Sequence, residues 1–190
     1  MSLLRLRVLA PLLLALPLTV ALPSAAHAYT AEGFQFFKAH DFVLTAVNPG
    51  VMAYTGDAEK ATFGLGTNFD YHLTPNIAVG ALIDMGFGEN FIGFDFGPQF
   101  KYKFKLGSES HFPFVRAAVP ARIMLVRGNA FIADQTVVAV GILVGGGYRF
   151  YFHRRVGVGA DLALVPAFHV RGPGSFSFGI NFTLGVEFKL

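Results

Sequence analysis

The chain has 190 residues, 53% of them hydrophobic, with 22 phenylalanines, 22 glycines and no cysteine. Its formal charge is +3, and the two arginines of the first 28 residues account for two of these charges, so the remaining +1 gives no support for nucleic-acid binding. The lack of cysteine excludes a disulfide framework. Beyond residue 28 no apolar run is long enough for a membrane-spanning helix, so a chain this apolar could cross a membrane only as a closed β-barrel.

The first 28 residues have the pattern of a secretory signal peptide. Arg5 and Arg7 form a basic start, Val8 to Leu22 is an uncharged apolar run, and Ala26-His27-Ala28 is a small-x-small cleavage site. The apolar run is too short and too rich in proline for a good transmembrane helix. We therefore expect cleavage after Ala28 and one mature domain over 29–190, with an uncleaved anchor as the alternative.

Eight strands with alternating apolar and polar residues are predicted along the mature chain. The segment Tyr29 to His40 reads as either a short helix or the start of a strand, and Phe42 to Val47 is assigned to the first strand. Turn signals at Asn48-Pro49-Gly50 and at Gly56-Asp57 predict a long connection over Asn48 to Ala61. The seven further strands are predicted over Thr62–Leu73, Ile77–Phe87, Phe91–Lys105, Phe112–Val126, Thr136–Phe152, Val156–Phe168 and Ser175–Leu190.

The last predicted strand shows the alternation most clearly. In SFSFGINFTLGVEFKL, from Ser175 to Leu190, every even position is apolar and every odd position is small or polar. No helix would separate these residues onto two faces. The segment is longer than an ordinary soluble strand and, when tilted, could cross a bilayer of about 30 Å.

The composition of the polar face indicates that this face points into the barrel. Phenylalanines on the apolar face exceed what an eight-stranded interior could hold. A one-residue slip would turn charges toward lipid at about 2–4 kcal/mol for each Arg or Lys at the midplane, so the register is strongly fixed. The predicted lumen charge network comprises Asp70, Asp84, Asp95, Lys101, Arg116, Arg122, Arg149, Asp161, Glu187 and Lys189.

Two further sets of residues follow from the same alternation. Inward apolar residues in the upper half of the predicted lumen could line an apolar pocket: Leu82, Phe91, Phe114, Met124, Leu143 and Val165. Outward aromatic residues near the end that bears the termini are typical of an interfacial girdle. The predicted girdle comprises Tyr71, Tyr102, Phe104, Tyr148, Phe150, Phe152 and Phe188.

The leader, the eight strands, the YHLTPNIAVGA hairpin and the closing INFTLGVEFKL resemble small bacterial outer-membrane barrels of the W/X type. The resemblance covers about Phe42 to Leu190. It implies insertion by the outer-membrane assembly machinery and, in some members, a route for small hydrophobic molecules. The family usually ends in Phe, whereas this chain ends in Leu190 with Phe188 two residues before it.

A lipid A deacylase or palmitoyltransferase is the enzymatic alternative, because such barrels are similar in size and strand number. A hydrolase of this kind needs a serine beside a histidine and an orienting acid. Ser175 and Ser177 lie near His169, and Asp161 lies on the same strand, but Arg171 stands where a His-x-Ser spacing requires serine. We therefore expect polar residues at a strand end rather than a catalytic site.

Three prolines, Pro98, Pro120 and Pro166, fall inside predicted strands. Each removes a donor from the hydrogen-bond ladder, so a β-bulge is expected at each position. The alternative hypothesis is a weakened seam that lets a hydrophobic solute pass sideways into lipid.

These observations predict an all-β, eight-stranded, antiparallel up-and-down transmembrane barrel. Catalytic residues, cofactors and metals are not expected, since His72, His111 and His153 share no metal-like spacing. The expected surroundings are membrane lipid and lipopolysaccharide, with small hydrophobic molecules as candidate ligands. The function is either structural or a narrow path for such molecules, and a secreted lipocalin-like barrel is the soluble alternative.

Overall fold

The computed structural model describes residues 36–55, 61–89, 91–104, 106, 110–127, 135–171 and 176–190. The predicted signal peptide, most of the segment Tyr29 to His40, and the turn signal at Gly56-Asp57 lie outside them. Within the described part of the chain, no helix is long and apolar enough to span a membrane. The strands are β1 (Phe42–Thr55), β2 (Ala61–His72), β3 (Ile77–Phe87), β4 (Phe91–Lys103), β5 (His111–Ala118), β6 (Ala121–Val126), β7 (Gln135–Gly141), β8 (Leu143–His153), β9 (Val156–Arg171) and β10 (Phe176–Lys189).

These strands close into an eight-stranded antiparallel barrel, which confirms the predicted fold class. β1 pairs with both β2 and β10, and β10 pairs with β9, so the sheet has no free edge between the first and last strands. β5 and β6 both pair with β4 and form the two halves of one barrel strand. β7 and β8 both pair with β9 and form the halves of another. The breaks between the halves lie at Val119-Pro120 and at Ile142.

The predicted long connection from Asn48 is wrong, because β1 continues through Asn48-Pro49-Gly50 to Thr55. The register of β1 shifts between Thr45 and Asn48 relative to β2. This β-bulge precedes Pro49, which has no amide hydrogen to donate and pairs in register with Leu65 of β2. Gly50 allows the close approach of β10, since a Cβ there would lie 2.3 Å from the Phe182 carbonyl oxygen.

The two faces of the wall have opposite chemistry. Large apolar side chains are exposed on the outer face, including Ile83 at 52% and Val144 at 56%. Charged side chains such as Lys101, Arg149 and Glu187 are completely buried on the inner face. The outer face therefore suits lipid, and the lumen is the place to look for a functional site.

The substitution Ile83→Arg, in the middle of β3, should lower the free energy of unfolding by about 2–4 kcal/mol, because a charged side chain facing the midplane of a bilayer is energetically unfavourable. The matched variant Ile77→Arg, at the start of the same strand, should lose at most about 1 kcal/mol. Urea unfolding in lipid vesicles, followed by the difference in SDS-gel mobility between unboiled and boiled samples, measures both. Equal losses at the two positions would contradict a lipid-facing outer wall.

Candidate functional site in the barrel lumen

The lower half of the lumen lies toward the end at which β1 begins and β10 ends, which is the end that bears the termini of the described chain. It is organised around Arg149. Its guanidinium group donates to both carboxylate oxygens of Asp161, with Nη2 at 2.9 Å from Oδ2, and its Nε lies 2.9 Å from Glu187 Oε1. Arg116 Nη1 lies 3.6 Å from the same Asp161 carboxylate. Because β5, β8, β9 and β10 supply these groups, the network ties half of the wall together across the lumen.

Glu187 is the second centre of this lower network. Its carboxylate accepts a hydrogen bond from the Tyr151 hydroxyl and lies 3.6 Å from Lys101 Nζ and 3.7 Å from Lys103 Nζ. Lys101 Nζ also lies 2.5 Å from Asp70 Oδ2. The inward position of Lys103 follows from strand alternation, but its part in the network depends on which strands face each other across the lumen, which the sequence does not show.

The upper half of the lumen holds a smaller set of charges. Arg122 donates to both oxygens of Asp95, with Nε at 2.7 Å from Oδ1 and Nη2 at 2.5 Å from Oδ2. Asp84 lies directly opposite Asp95 in the pairing of β3 with β4. No direct hydrogen bond or ion pair to Asp84 is found among the described residues, although its side chain is buried.

An apolar layer separates these two charged regions. Along β3, Leu82 lies between the lower region and Asp84, and along the β5/β6 strand Ala118 lies between Arg116 and Arg122. The layer is one packed cluster of Leu82, Ala118, Leu143, Ala163 and Val165, each at most 5% exposed. Such a layer gives the charges on either side of it surroundings of low polarity.

The predicted apolar pocket is thus divided among three places. Leu82, Leu143 and Val165 pack within the apolar layer. Phe114 lies lower, with its ring centroid 5.1 Å from Lys101 Nζ and 4.9 Å from Arg149 Cζ. The two remaining residues, Phe91 and Met124, line a small cavity beside the upper acids.

The end of the lumen that bears the termini is closed by Phe36 and Phe37, which sequence reasoning missed. Both side chains are buried in a cluster with Val43, Phe112 and Tyr151. The Phe37 ring stacks on His72 at 4.5 Å between centroids, and Lys103 Nζ lies 3.7 Å from the same centroid. Two adjacent phenylalanines just before the first strand were the available signal for this plug.

Lys189 lies at the rim rather than in the buried network, because β10 ends there. Its Nζ lies 2.7 Å from Asp41 Oδ2 and donates to the Phe36 carbonyl oxygen. Partial burial alone would raise the pKa of the Asp41 carboxyl, but the hydrogen bonds from Lys189 and from the Lys38 amide outweigh it and hold the pKa below its usual value.

The seven predicted girdle residues all lie on the outer face near the end that bears the termini. Tyr71 pairs with His40, and Tyr148 pairs with His111, through hydrogen bonds between hydroxyl and imidazole. Tyr102 and Phe104 contact each other edge to face at 5.0 Å. The remaining three are Phe150, Phe152 and Phe188. The two histidines add polar groups to the girdle that the aromatic pattern alone does not reveal.

A serine and a histidine do meet near the opposite end of the lumen. His169 Nε2 lies 3.2 Å from Ser177 Oγ across β9 and β10. Asp161, the acid considered from the sequence, lies eight residues further down β9 and is held by Arg149. At about 3.3 Å per residue this is roughly 26 Å away. Ser175 lies outside the described residues.

Nothing in the described part of the chain brings together three or more His, Asp or Glu side chains in a way that could hold a metal ion.

Three solved structures show what this fold is similar to. The Neisserial surface protein A matches with a TM-score of 0.64 and 13% identity over 79% of this chain and 97% of its own. Ail of Yersinia pestis, in complex with the heparin analogue sucrose octasulfate, matches with a TM-score of 0.57 and 10% identity over 81% and 100%. The outer membrane enzyme PagL matches with a TM-score of 0.50 and 18% identity over 76% and 99%.

The fold is therefore that of the small bacterial outer-membrane β-barrels with eight strands. At these identities the likeness concerns the fold alone. No protein-family model matches the chain, and neither does any curated protein.

Glu187→Gln should lower the free energy of unfolding by about 3–5 kcal/mol, because it leaves Lys101, Lys103 and Arg149 without their shared buried acid. Asp41→Asn, which removes a partly exposed acid at the rim, is the matched control and should cost at most about 1 kcal/mol. Urea unfolding in vesicles measures both variants. If Glu187→Gln cost no more than the control, the lower network would not hold the barrel closed.

Proposed function

We propose that the chain is a non-enzymatic bacterial outer-membrane barrel that gives small hydrophobic molecules a sideways path between its apolar layer and the lipid. In this proposal the signal peptide is removed after Ala28, and the outer-membrane assembly machinery inserts the barrel among lipid and lipopolysaccharide. The fold, the apolar outer face and the girdle support the location. The YHLTPNIAVGA hairpin and the closing strand favour the W/X type within this fold.

The observation that carries the proposal is the position of three prolines. Pro98 lies in β4, Pro120 in the break between β5 and β6, and Pro166 in β9, opposite Ile142 in the break between β7 and β8. Four neighbouring strands of the barrel are involved: β4, the β5/β6 strand, the β7/β8 strand and β9. The prolines therefore lie in one band across half of the wall.

Each proline leaves a pair of facing residues joined by one backbone hydrogen bond where an antiparallel ladder normally has two. The proline nitrogen carries no hydrogen and cannot return the bond that its carbonyl oxygen accepts. The remaining single bonds are from Val119 N to Pro98 O at 3.2 Å, from Gly141 N to Pro120 O at 2.8 Å and from Ile142 N to Pro166 O at 2.8 Å.

The apolar layer lies directly behind this proline band. Leu143 directly follows Ile142, and Val165 directly precedes Pro166. Ala118 is the last residue of β5, just before the break at Val119-Pro120. A hydrophobic molecule would find apolar contacts at this level and charged groups above and below it. The Phe36–Phe37 plug and the lower network close the straight route, so an exit through the wall is the route that this arrangement favours.

Restoring the missing donors with Pro98→Val and Pro166→Val should close the seam. Two recovered backbone bonds of about 1 kcal/mol each would reduce the open population roughly tenfold or more. The measurement is the rate at which N-phenylnaphthylamine, a small apolar fluorescent probe, enters vesicles that have an outer leaflet of lipopolysaccharide and carry the refolded protein. The double variant should slow this rate by a similar factor.

Pro113→Val is the matched control, since Pro113 lies within β5 near the end that bears the termini and outside the band. It should leave the rate unchanged. If wild-type vesicles took up the probe no faster than vesicles without protein, the barrel would have a structural role. Equal rates for wild type and the double variant would place any uptake elsewhere.

A lipid-modifying enzyme is the second candidate, favoured by the contact between His169 and Ser177. An acyl-chain hydrolase of this kind would use the serine as nucleophile and the histidine as base. Mass spectrometry of lipid A from cells that express the wild type or Ser177→Ala is the test. We expect identical lipid A in both; a loss of one acyl chain with the wild type alone would establish the enzyme.

A further inference from the structure

The wall of the lumen opposite the apolar layer carries polar side chains. They lie on the consecutive strands β10, β1 and β2, and each is at most 5% exposed: Asn48, Asn68, Asn181 and Thr183. The Oδ1 atom of Asn48 points toward β10, since a Cβ at Gly185 would lie 2.0 Å from it. We call these four residues the polar side of the lumen.

The polar side and the apolar layer lie at the same level of the barrel. Asn68 pairs with Leu82 in the register of β2 with β3, and Asn181 pairs with Ala163 in the register of β10 with β9. Paired residues of neighbouring strands lie side by side on the same face of a sheet. The polar side therefore adjoins the apolar layer at both of its edges, and the two together surround the lumen at this level.

The polar side lacks hydrogen-bond partners within the described part of the chain. The buried atoms without one are Asn48 Oδ1, Asn68 Nδ2 and Oδ1, Asn181 Oδ1 and Thr183 Oγ1. Buried polar groups without partners are unfavourable, and folded proteins supply almost all of them with a hydrogen bond. A molecule that suits this level has to offer apolar surface to one side and a hydrogen bond to the other.

This level is also the one at which inward side chains can move aside most easily. Above it Arg122 is held by Asp95, and below it Arg149 is held by Asp161 and Glu187, so a molecule entering there would have to separate ion pairs. The apolar layer is held by contacts that have no preferred direction. The five polar atoms opposite it have no hydrogen bond that would have to break.

We propose that the molecule which the lumen accepts at this level is a small uncharged alcohol or phenol. Its apolar body packs on the apolar layer, and its hydroxyl group is hydrogen-bonded by the asparagine amides of the polar side. A hydroxyl group both donates and accepts, so it suits an amide whichever of the two amide atoms faces it. This inference rests on the proposed function, because it names the class of molecule that the sideways path selects.

The test is an NMR titration of the refolded protein in detergent with phenol and with toluene, which has a methyl group in place of the hydroxyl. Methyl signals of Leu82, Leu143 and Val165, in the apolar layer, report binding of either molecule in every variant. The readout is the ratio of the two affinities. Partition into detergent and changes in the size of the site act on both ligands, so they cancel when this ratio is compared between proteins.

The double variant Asn68→Leu/Asn181→Leu should reduce the preference for phenol over toluene roughly tenfold, because it removes the groups that bind the hydroxyl. It also removes unpaired buried groups, so the barrel should keep its heat-dependent shift in SDS-gel mobility. Asn76→Leu is the matched control, since Asn76 bonds the Lys103 carbonyl oxygen at the turn between β2 and β3, and it should retain the wild-type ratio.

The outcomes separate this inference from the function on which it rests. Binding of both ligands with the same ratio in wild type and double variant would show that water alone serves the polar side. That result would overturn the inference and leave the path for hydrophobic molecules standing. If neither ligand shifted the methyl signals of the wild type, the inference and the path through the apolar layer would both fall.

Discussion

The requirement that every backbone group of a lipid-embedded wall find a partner within the wall governs the rest of this molecule. It forces the sheet to close through the pairing of β1 with β10. Because side chains alternate along each strand of the closed sheet, each one points either into the lumen or toward the lipid. Charged groups such as Arg149 and Glu187 then have to share a narrow lumen, where ion pairs across the barrel become unavoidable. The buried network is therefore a consequence of closure as well as a reinforcement of it.

The proline band is where departures from this requirement lie together at one level of the described wall. A proline in the middle of a sheet removes a donor, and three at one level concentrate the loss in neighbouring strands. An isolated weak point could be a tolerated irregularity, as Pro49 in β1 is. The band differs because the lumen behind it is apolar at the same level. The wall therefore lacks backbone hydrogen bonds at the level where the interior is apolar.

Local pattern was enough to predict much of the fold. The bounds of β3 were predicted as Ile77–Phe87, and the inward orientation of Asp161 and Glu187 followed from alternation alone. The turn predicted at Asn48-Pro49-Gly50 was wrong because pairing with β2 and β10 carries the strand through these residues, and residue types alone do not show that pairing. The particular ion pairs could not be derived, since partners across a lumen depend on the stagger of all eight strands. The Phe36–Phe37 plug is likewise a contact between distant parts of the chain.

The lumen has layers whose order explains what each could accept. Charges at the level of Glu187 satisfy one another, so an incoming apolar molecule gains nothing there and would have to separate ion pairs. At the level of Leu82 the same molecule replaces apolar contacts with equivalent ones. At the level of Asp84 a second set of charges begins, and the cavity beside it is too small for an organic solute. The apolar layer is therefore the level of the lumen at which a small hydrophobic molecule is best accommodated.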